Sequence, residues 1–158
     1  MNWSPEQLLK DFLVVAEIAG LKIEQEVVSI EILIMPHKPP SSLPKGKMAV
    51  YVFSEVNRVL KVGKVGRRSQ ARYTSQHYNP GSAPSTLAAS ILKDEDAVKR
   101  YGVNDGNVSD WIKKNTDRVN FILDAQLGVR ALTLLEVFVQ CRLNPVFEGF
   151  GSQRENSM

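Results

Sequence analysis

Four side chains in this sequence have types and spacing that suit the hydrolysis of a phosphodiester bond. Tyr51 lies in the apolar run AVYVF, and Lys61 follows ten residues later in KVGK. Arg72 lies at the start of a segment with helical character, and Glu136 is the acid in the apolar run LTLLEVFVQC. An arginine offers a planar, permanently charged donor to phosphoryl oxygens. Tyr51 and Lys61 could orient or deprotonate the attacking water.

Glu136 is the candidate metal ligand. Acids in the middle of apolar runs are uncommon unless they are paired or bind a metal. Mg²⁺, or Mn²⁺ in its place, tolerates a single protein carboxylate because waters and substrate oxygens complete its octahedron. Bound there, it would act as a Lewis acid and stabilise the leaving group. The alternative is a structural ion pair with Arg130 or Arg142. The other three candidates also have alternatives without a catalytic role. Tyr51 could be a core aromatic, Lys61 a snorkelling strand lysine and Arg72 a surface arginine.

Positive charge is concentrated in one segment of the chain. The whole sequence has a net charge of +3, whereas residues 45–78 contain eight Lys or Arg and one Glu. Such a segment indicates a polyanionic partner such as nucleic acid, although a solvated basic surface has the same composition. The predicted nucleic-acid-binding residues are Lys64, Arg67, Arg68, His77 and Asn144.

An N-terminal segment, residues 1–46, precedes the main body of the chain. Ser4 suits a helix N-cap, with Pro5 at the first helical position and Gln7 completing a capping box, so a helix is predicted up to Gly20. Residues 27–35 are rich in β-branched side chains and predict a strand. The proline-rich residues 36–46 predict a loop.

Residues 47–150 are predicted to form one α+β domain, followed by a polar tail at 151–158. Its strands should form a small, mainly antiparallel three-stranded sheet flanked by helices, and the N-terminal helix and strand should be additions to it. The helix over 129–143 has apolar residues nearly all round and is predicted to be central and buried. The other predicted elements are strands at 48–54, 59–65 and 118–123, a helix at 69–76, one or two helices within 85–100, and a helix at 108–115 capped by Asn107.

The order of these motifs resembles the GIY-YIG nuclease family over roughly residues 47–148. This resemblance implies a metal-dependent endonuclease that hydrolyses DNA, with Tyr51, Lys61, Arg72 and Glu136 as catalytic residues. Lys61 replaces the usual tyrosine of the second motif, so a degenerate member that only binds nucleic acid is the alternative, and a protein-interaction module is a further one. The matching elements are Ala49-Val50-Tyr51, Lys61-Val62-Gly63 followed by Lys64, Arg72, Glu136 and Asn144-Pro145.

Composition limits the remaining possibilities. The chain has 158 residues, 43% of them hydrophobic, which is enough for a core without disulfides. The single cysteine, Cys141, lies in an apolar run and is predicted to be a buried, inert thiol. No apolar run is long enough to span a membrane, and acids stand where a signal peptide needs a basic start, so a cytoplasmic protein is expected. Because no separate recognition domain is visible, a homodimer or an accessory protein is an expected partner.

Overall fold

A four-stranded antiparallel sheet organises the computed structural model, which describes residues 2–147. The predicted sheet had three strands. The fourth arises because the N-terminal strand pairs with the last one along its whole length, from Val28 opposite Leu123 to Leu33 opposite Arg118. The strands are β1 (Val28–Leu33), β2 (Lys47–Glu55), β3 (Arg58–Val65) and β4 (Asp117–Asp124), in the order β1-β4-β2-β3.

Six α-helices are found in the described residues. Residues 85–100 form two of them because Asp94 ends one helix and caps the next, accepting from the Ala97 N–H at 2.9 Å. Asn107 precedes a helix as predicted, but its side chain accepts from the Asn104 N–H instead of capping that helix. The helices are α1 (Pro5–Ile18), α2 (Gln70–Thr74), α3 (Leu87–Lys93), α4 (Glu95–Tyr101), α5 (Val108–Asn115) and α6 (Gly128–Leu143).

Helix α1 begins where its sequence predicts. The Ser4 hydroxyl accepts from the Gln7 N–H at 3.2 Å, which satisfies one of the free donors of the first turn. The Gln7 side chain turns to Asp11 instead of back to Ser4, so the reciprocal half of the capping box is absent from these two residues. The helix buries the face that carries Leu8, Leu9, Phe12 and Ala16.

One face of the sheet, here called the apolar face, packs against α1 and α6. Side chains alternate between the faces of a strand, and on β2 this alternation assigns Val50 and Val52 to the apolar face. Helix α6 covers this face with one side, which is buried, while its other side is exposed, so the prediction of a buried helix is confirmed for one side only. Val129 is 68% exposed, and Cys141, predicted to be buried, is exposed as well.

The opposite face, here called the polar face, packs against α2 to α5. It carries Tyr51 and Phe53 of β2 together with Arg118 and Asn120, which lie opposite them on β4. Arg118 and Asn120 are fully buried. In residues 2–147 none of the helices has the length and hydrophobicity that crossing a bilayer requires.

Candidate active site

The polar face presents a row of four side-chain positions across the sheet. Glu31 of β1 lies opposite Asn120 of β4, Asn120 lies opposite Tyr51 of β2, and Tyr51 lies opposite Gly63 of β3. The Tyr51 ring lies over Gly63, so closely that a Cβ on Gly63 would be 2.2 Å from the Tyr51 hydroxyl oxygen. Glycine at 63 therefore makes room for this tyrosine, which explains the spacing of the two motifs in physical terms.

Arg72 and Tyr51 come together as predicted. The Arg72 Nη2 donates to the Tyr51 hydroxyl at 3.3 Å, and Nη1 donates to the Ser85 hydroxyl at 3.4 Å. Both partners are neutral, so the guanidinium keeps its charge available for an anion. Arg72 is partly exposed whereas Tyr51 is fully buried, which puts the cation at the solvent side of the pair.

Glu136 lies on the other face of the sheet, beside Lys64. The Lys64 Nζ donates to the Glu136 Oε2 at 2.6 Å, and the two side chains are 35% and 16% exposed respectively. Lys64 lies opposite Val50, which is part of the apolar face. The structure therefore brings Tyr51 to Arg72 and Lys64 to Glu136, but it places the two pairs on opposite faces.

Both pairs adjoin β3, the last strand of the sheet, because Tyr51 lies over Gly63 and Lys64 is itself a β3 residue. The start of this edge is covered, because the Val146 and Phe147 N–H groups donate to the Val59 and Leu60 carbonyls at 3.0 and 2.9 Å. Within residues 2–147, the stretch 61–65 has no further strand beside it. Arg72 lies on the polar side of β3, and Lys64 points to its apolar side.

Glu136 is compatible with a hydrated metal ion held by one carboxylate. Among the described residues there is no group of three or more His, Cys, Asp or Glu that could hold a metal, so an all-protein cage is not built there. The Glu136 carboxylate already receives one cation, the Lys64 ammonium, at 2.6 Å. The chemistry of the carboxylate donor suits Mg²⁺ or Mn²⁺ with water and phosphate as the other ligands.

Lys61 is buried too deeply for its predicted role, which is to orient or deprotonate the attacking water. It is 0% exposed, lies on the polar face opposite Phe53, and its Nζ is 3.4 Å from the Ser90 hydroxyl of α3. Direct contact with an attacking water is therefore not supported by its position. Its positive charge nevertheless acts on the interior of the site, because it helps to lower the pKa of His77.

His77 is also buried, at 1% exposure, so the prediction that it contacts nucleic acid is not supported by its position. Its ring packs against Tyr51 with centroids 4.3 Å apart, and its Nδ1 accepts from the Leu87 N–H at 3.3 Å. Burial first, and then the charges of Arg118, Lys61 and Arg72, lower its pKa to about 2. A neutral imidazole therefore supports the Tyr51 ring.

The other predicted contacts lie at the surface. Arg67 and Arg68 are exposed in the loop between β3 and α2, on the same stretch of chain as Lys64 and Arg72. Asn144 is exposed and ends α6 in the left-handed conformation, with φ 45° and ψ 66°. Their exposure allows contact with nucleic acid, and that contact stays a prediction.

Sequence reasoning missed the polar network beneath the site. Arg118 and Asn120 are two residues apart in a strand, so they share a face, and both were treated as ordinary strand residues. Two large polar side chains on one face of an internal strand are a signal of a buried network. Glu31 completes that network from β1.

Comparisons with protein-family models, with curated proteins and with solved structures give no match for this chain. The functional assignment therefore rests on the residues and their arrangement.

Proposed function

We propose that this protein is a metal-dependent endonuclease of the GIY-YIG type that hydrolyses the DNA backbone at the outer edge of β3. The observation that carries the proposal is the Tyr51–Arg72 hydrogen bond over Gly63. It joins three motif elements of the resemblance, at the edge where Lys64 and Glu136 supply a cation and a carboxylate.

Arg72 would hold the non-bridging oxygens of the scissile phosphate. Its two described partners are neutral hydroxyls, and a phosphate oxygen makes a stronger, charge-assisted hydrogen bond to a guanidinium than a hydroxyl does. Tyr51 is fully buried behind Arg72, so its proposed role is to accept from the guanidinium and hold it in position against the phosphate.

Lys64 and Glu136 would act from the apolar side of the same edge. Glu136 would hold Mg²⁺, which supplies Lewis-acid and leaving-group stabilisation when it is bound. Lys64, released from the carboxylate, would then contact the backbone with Arg67 and Arg68. These phosphate contacts carry no sequence information, so we expect low sequence specificity.

The second candidate function is binding of nucleic acid without cleavage. Two observations favour it: Lys61 is buried where the family has a water-activating tyrosine, and Lys64 neutralises Glu136. A protein of this kind would keep the basic edge but lack the group that activates the attacking water. The two functions differ in whether the bound strand is cut.

The test is incubation of purified protein with single-stranded, duplex and branched DNA and with RNA, each with Mg²⁺, with Mn²⁺ and with EDTA. We expect metal-dependent nicking of DNA that falls by about 100-fold or more in Glu136→Gln, a loss comparable to removal of a main charge-stabilising group. Glu95→Gln, at a glutamate whose side chain is 90% exposed on α4, is the matched control and should cut normally. Binding without cleavage in every metal would contradict the nuclease and support the second candidate.

A further inference from the structure

Helix α2, which carries Arg72, is too short to hold itself in place. It spans five residues, and isolated helices of this length are unstable because nucleation costs more than so few hydrogen bonds return. Its position must come from contacts with the rest of the protein. One set of contacts is at its first residue, where the Gln70 side chain exchanges two hydrogen bonds with the Leu43 backbone at 2.8 and 2.7 Å.

Tyr73, the neighbour of Arg72, provides the second set of contacts. It is 1% exposed, and its hydroxyl donates to the Glu31 Oε2 at 2.7 Å. Its backbone carbonyl accepts from the Arg118 Nη2, also at 2.7 Å. Both ends of this residue are therefore tied to the sheet, the hydroxyl to β1 and the carbonyl to β4.

These contacts belong to a closed ring of hydrogen bonds. The Arg118 Nε donates to the Asn120 Oδ1 at 2.9 Å, and the Asn120 Nδ2 donates to the Glu31 Oε2 at 2.6 Å. The ring therefore runs from Glu31 to Tyr73, Arg118, Asn120 and back to Glu31. It joins a carboxylate and a buried guanidinium through two neutral residues, and it satisfies the buried polar groups of Tyr73, Arg118 and Asn120.

We propose that Glu31 is a positioning residue for Arg72, and that the ring formed by Glu31, Tyr73, Arg118 and Asn120 holds α2 so that the Arg72 guanidinium meets the Tyr51 hydroxyl. Glu31 is two strands away from Tyr51, about 10 Å at ordinary strand spacing, so it acts through α2 and not on the substrate. The consequence for cleavage rests on the proposed function; the consequence for α2 does not.

The first test measures amide hydrogen exchange of α2 without any substrate. The reporting amides are Tyr73, bonded to the Ser69 carbonyl, and Ser75, bonded to the Ala71 carbonyl. Glu31→Ala should speed their exchange by roughly tenfold or more, the equivalent of one lost hydrogen bond, while amides of α1 and α6 stay protected. Glu31→Gln should be close to wild type, because an amide oxygen can still accept from both Tyr73 and Asn120.

Two further variants keep this test decisive. Should Glu31→Ala fail to fold, Tyr73→Phe removes only the hydroxyl end of the same contact and should speed exchange in the same residues. Glu26→Ala changes an exposed acid just before β1 and should leave α2 unchanged. Unaltered exchange of α2 in both Glu31→Ala and Tyr73→Phe would overturn the proposal.

The second test uses cleavage to ask whether Glu31 acts through Arg72. Glu31→Ala should lower kcat/KM for nicking by roughly 10- to 100-fold, the range expected for a displaced catalytic group, and Glu31→Gln should restore it. In an Arg72→Ala background, Glu31→Ala should add almost nothing. Losses that multiply would overturn the positioning role. If the wild type cuts no nucleic acid while α2 still loosens, the nuclease proposal fails and the ring stands.

Discussion

The two faces of the sheet are built from opposite kinds of side chain, although the same four strands supply both. The apolar face is filled by aliphatic and aromatic residues from the strands, α1 and α6. The polar face buries Lys61, His77, Arg118 and Asn120 among its aromatic residues. Burial of apolar groups stabilises a fold directly, whereas burial of charged groups is often no better for stability than a well-packed hydrophobic replacement. The polar face is therefore where selection for a function is expected to act.

The comparison also explains how the edge of β3 is organised. The apolar face gives the sheet a stable support, and it contributes the Lys64–Glu136 pair only at its margin. The polar face contributes Tyr51 and Arg72, which are held by groups that stability alone does not require. Variants on the polar face should therefore affect the proposed cleavage first, and variants in the apolar core should affect stability first.

Among variants outside the four proposed catalytic residues, the largest effect is expected for Gly63→Ala. The new Cβ would lie 2.2 Å from the Tyr51 hydroxyl oxygen and 2.6 Å from the Tyr51 Cζ, so the ring must move away from Arg72. We expect nicking to fall by roughly 100-fold, as for other small misplacements of a catalytic group. Gly66→Ala is the control at the end of the same strand, because its Cβ would meet nothing within 4 Å. Equal activity of the two variants would show that the packing of Tyr51 over Gly63 has no role in cleavage.

Leu135→Ala should separate stability from activity. Leu135 is 0% exposed in the apolar core, so its truncation should lower the free energy of unfolding by about 3 kcal/mol, the usual cost of a cavity of this size. Val137→Ala, on the same helix but 37% exposed, should cost under about 1 kcal/mol. Denaturant unfolding measures both. The rate of nicking per folded molecule should stay unchanged in each, and a loss there would remove the distinction between the faces.

Stability should decrease as the pH falls below about 6.5. Burial lowers the pKa of His77 to about 2 and also lowers the pKa of His37 below its usual 6.5. The unfolded chain therefore binds more protons than the folded chain between these values, and acid favours unfolding. Each histidine contributes up to about 1.4 kcal/mol per pH unit. Unfolding free energies at pH 5 to 6.5 measure the slope, which His77→Gln should reduce. An unchanged slope in that variant would contradict a neutral, buried His77.

The smallest effect is expected at the start of α1, which is distant in sequence from the proposed site and contributes no residue to it. Ser4→Ala removes the hydroxyl that accepts from the Gln7 N–H and should cost about 1 kcal/mol. Ser42→Ala, at an exposed position in the loop before β2, should cost almost nothing. Thermal unfolding compares the two, and a change in nicking by either variant would run against the expected independence of α1 from the site.

Local patterns were sufficient to predict the hairpin and the cap of α1, because these features depend on residues close in the chain. The approach of Arg72 to Tyr51 was expected only from the resemblance to the GIY-YIG family. Strand alternation also implies that Lys61 and Lys64, three residues apart, point to opposite faces of the sheet. This difference could be predicted from the sequence. The face of the sheet that α6 covers could not be predicted from the sequence, because it depends on how the chain crosses from β4.

Contacts between distant segments account for the rest of the differences. The fourth strand and the ring around Tyr73 need β1 to pair with β4, roughly ninety residues away in sequence, as Glu31 and Asn120 do. The burial of His77 needs α3 to close over it, through the Leu87 N–H. Cys141 is exposed because α6 packs on one side only, which its evenly apolar sequence could not indicate.

The most direct measurement is a double-mutant cycle between the two faces, with Arg72→Ala and Glu136→Ala, on single-turnover nicking of duplex DNA in Mg²⁺. If both groups act on one phosphodiester at the edge of β3, the double variant should be about as slow as the slower single variant, because groups that act as a unit are strongly non-additive. Losses that multiply, or a wild type that nicks nothing, would contradict a single site shared by both faces.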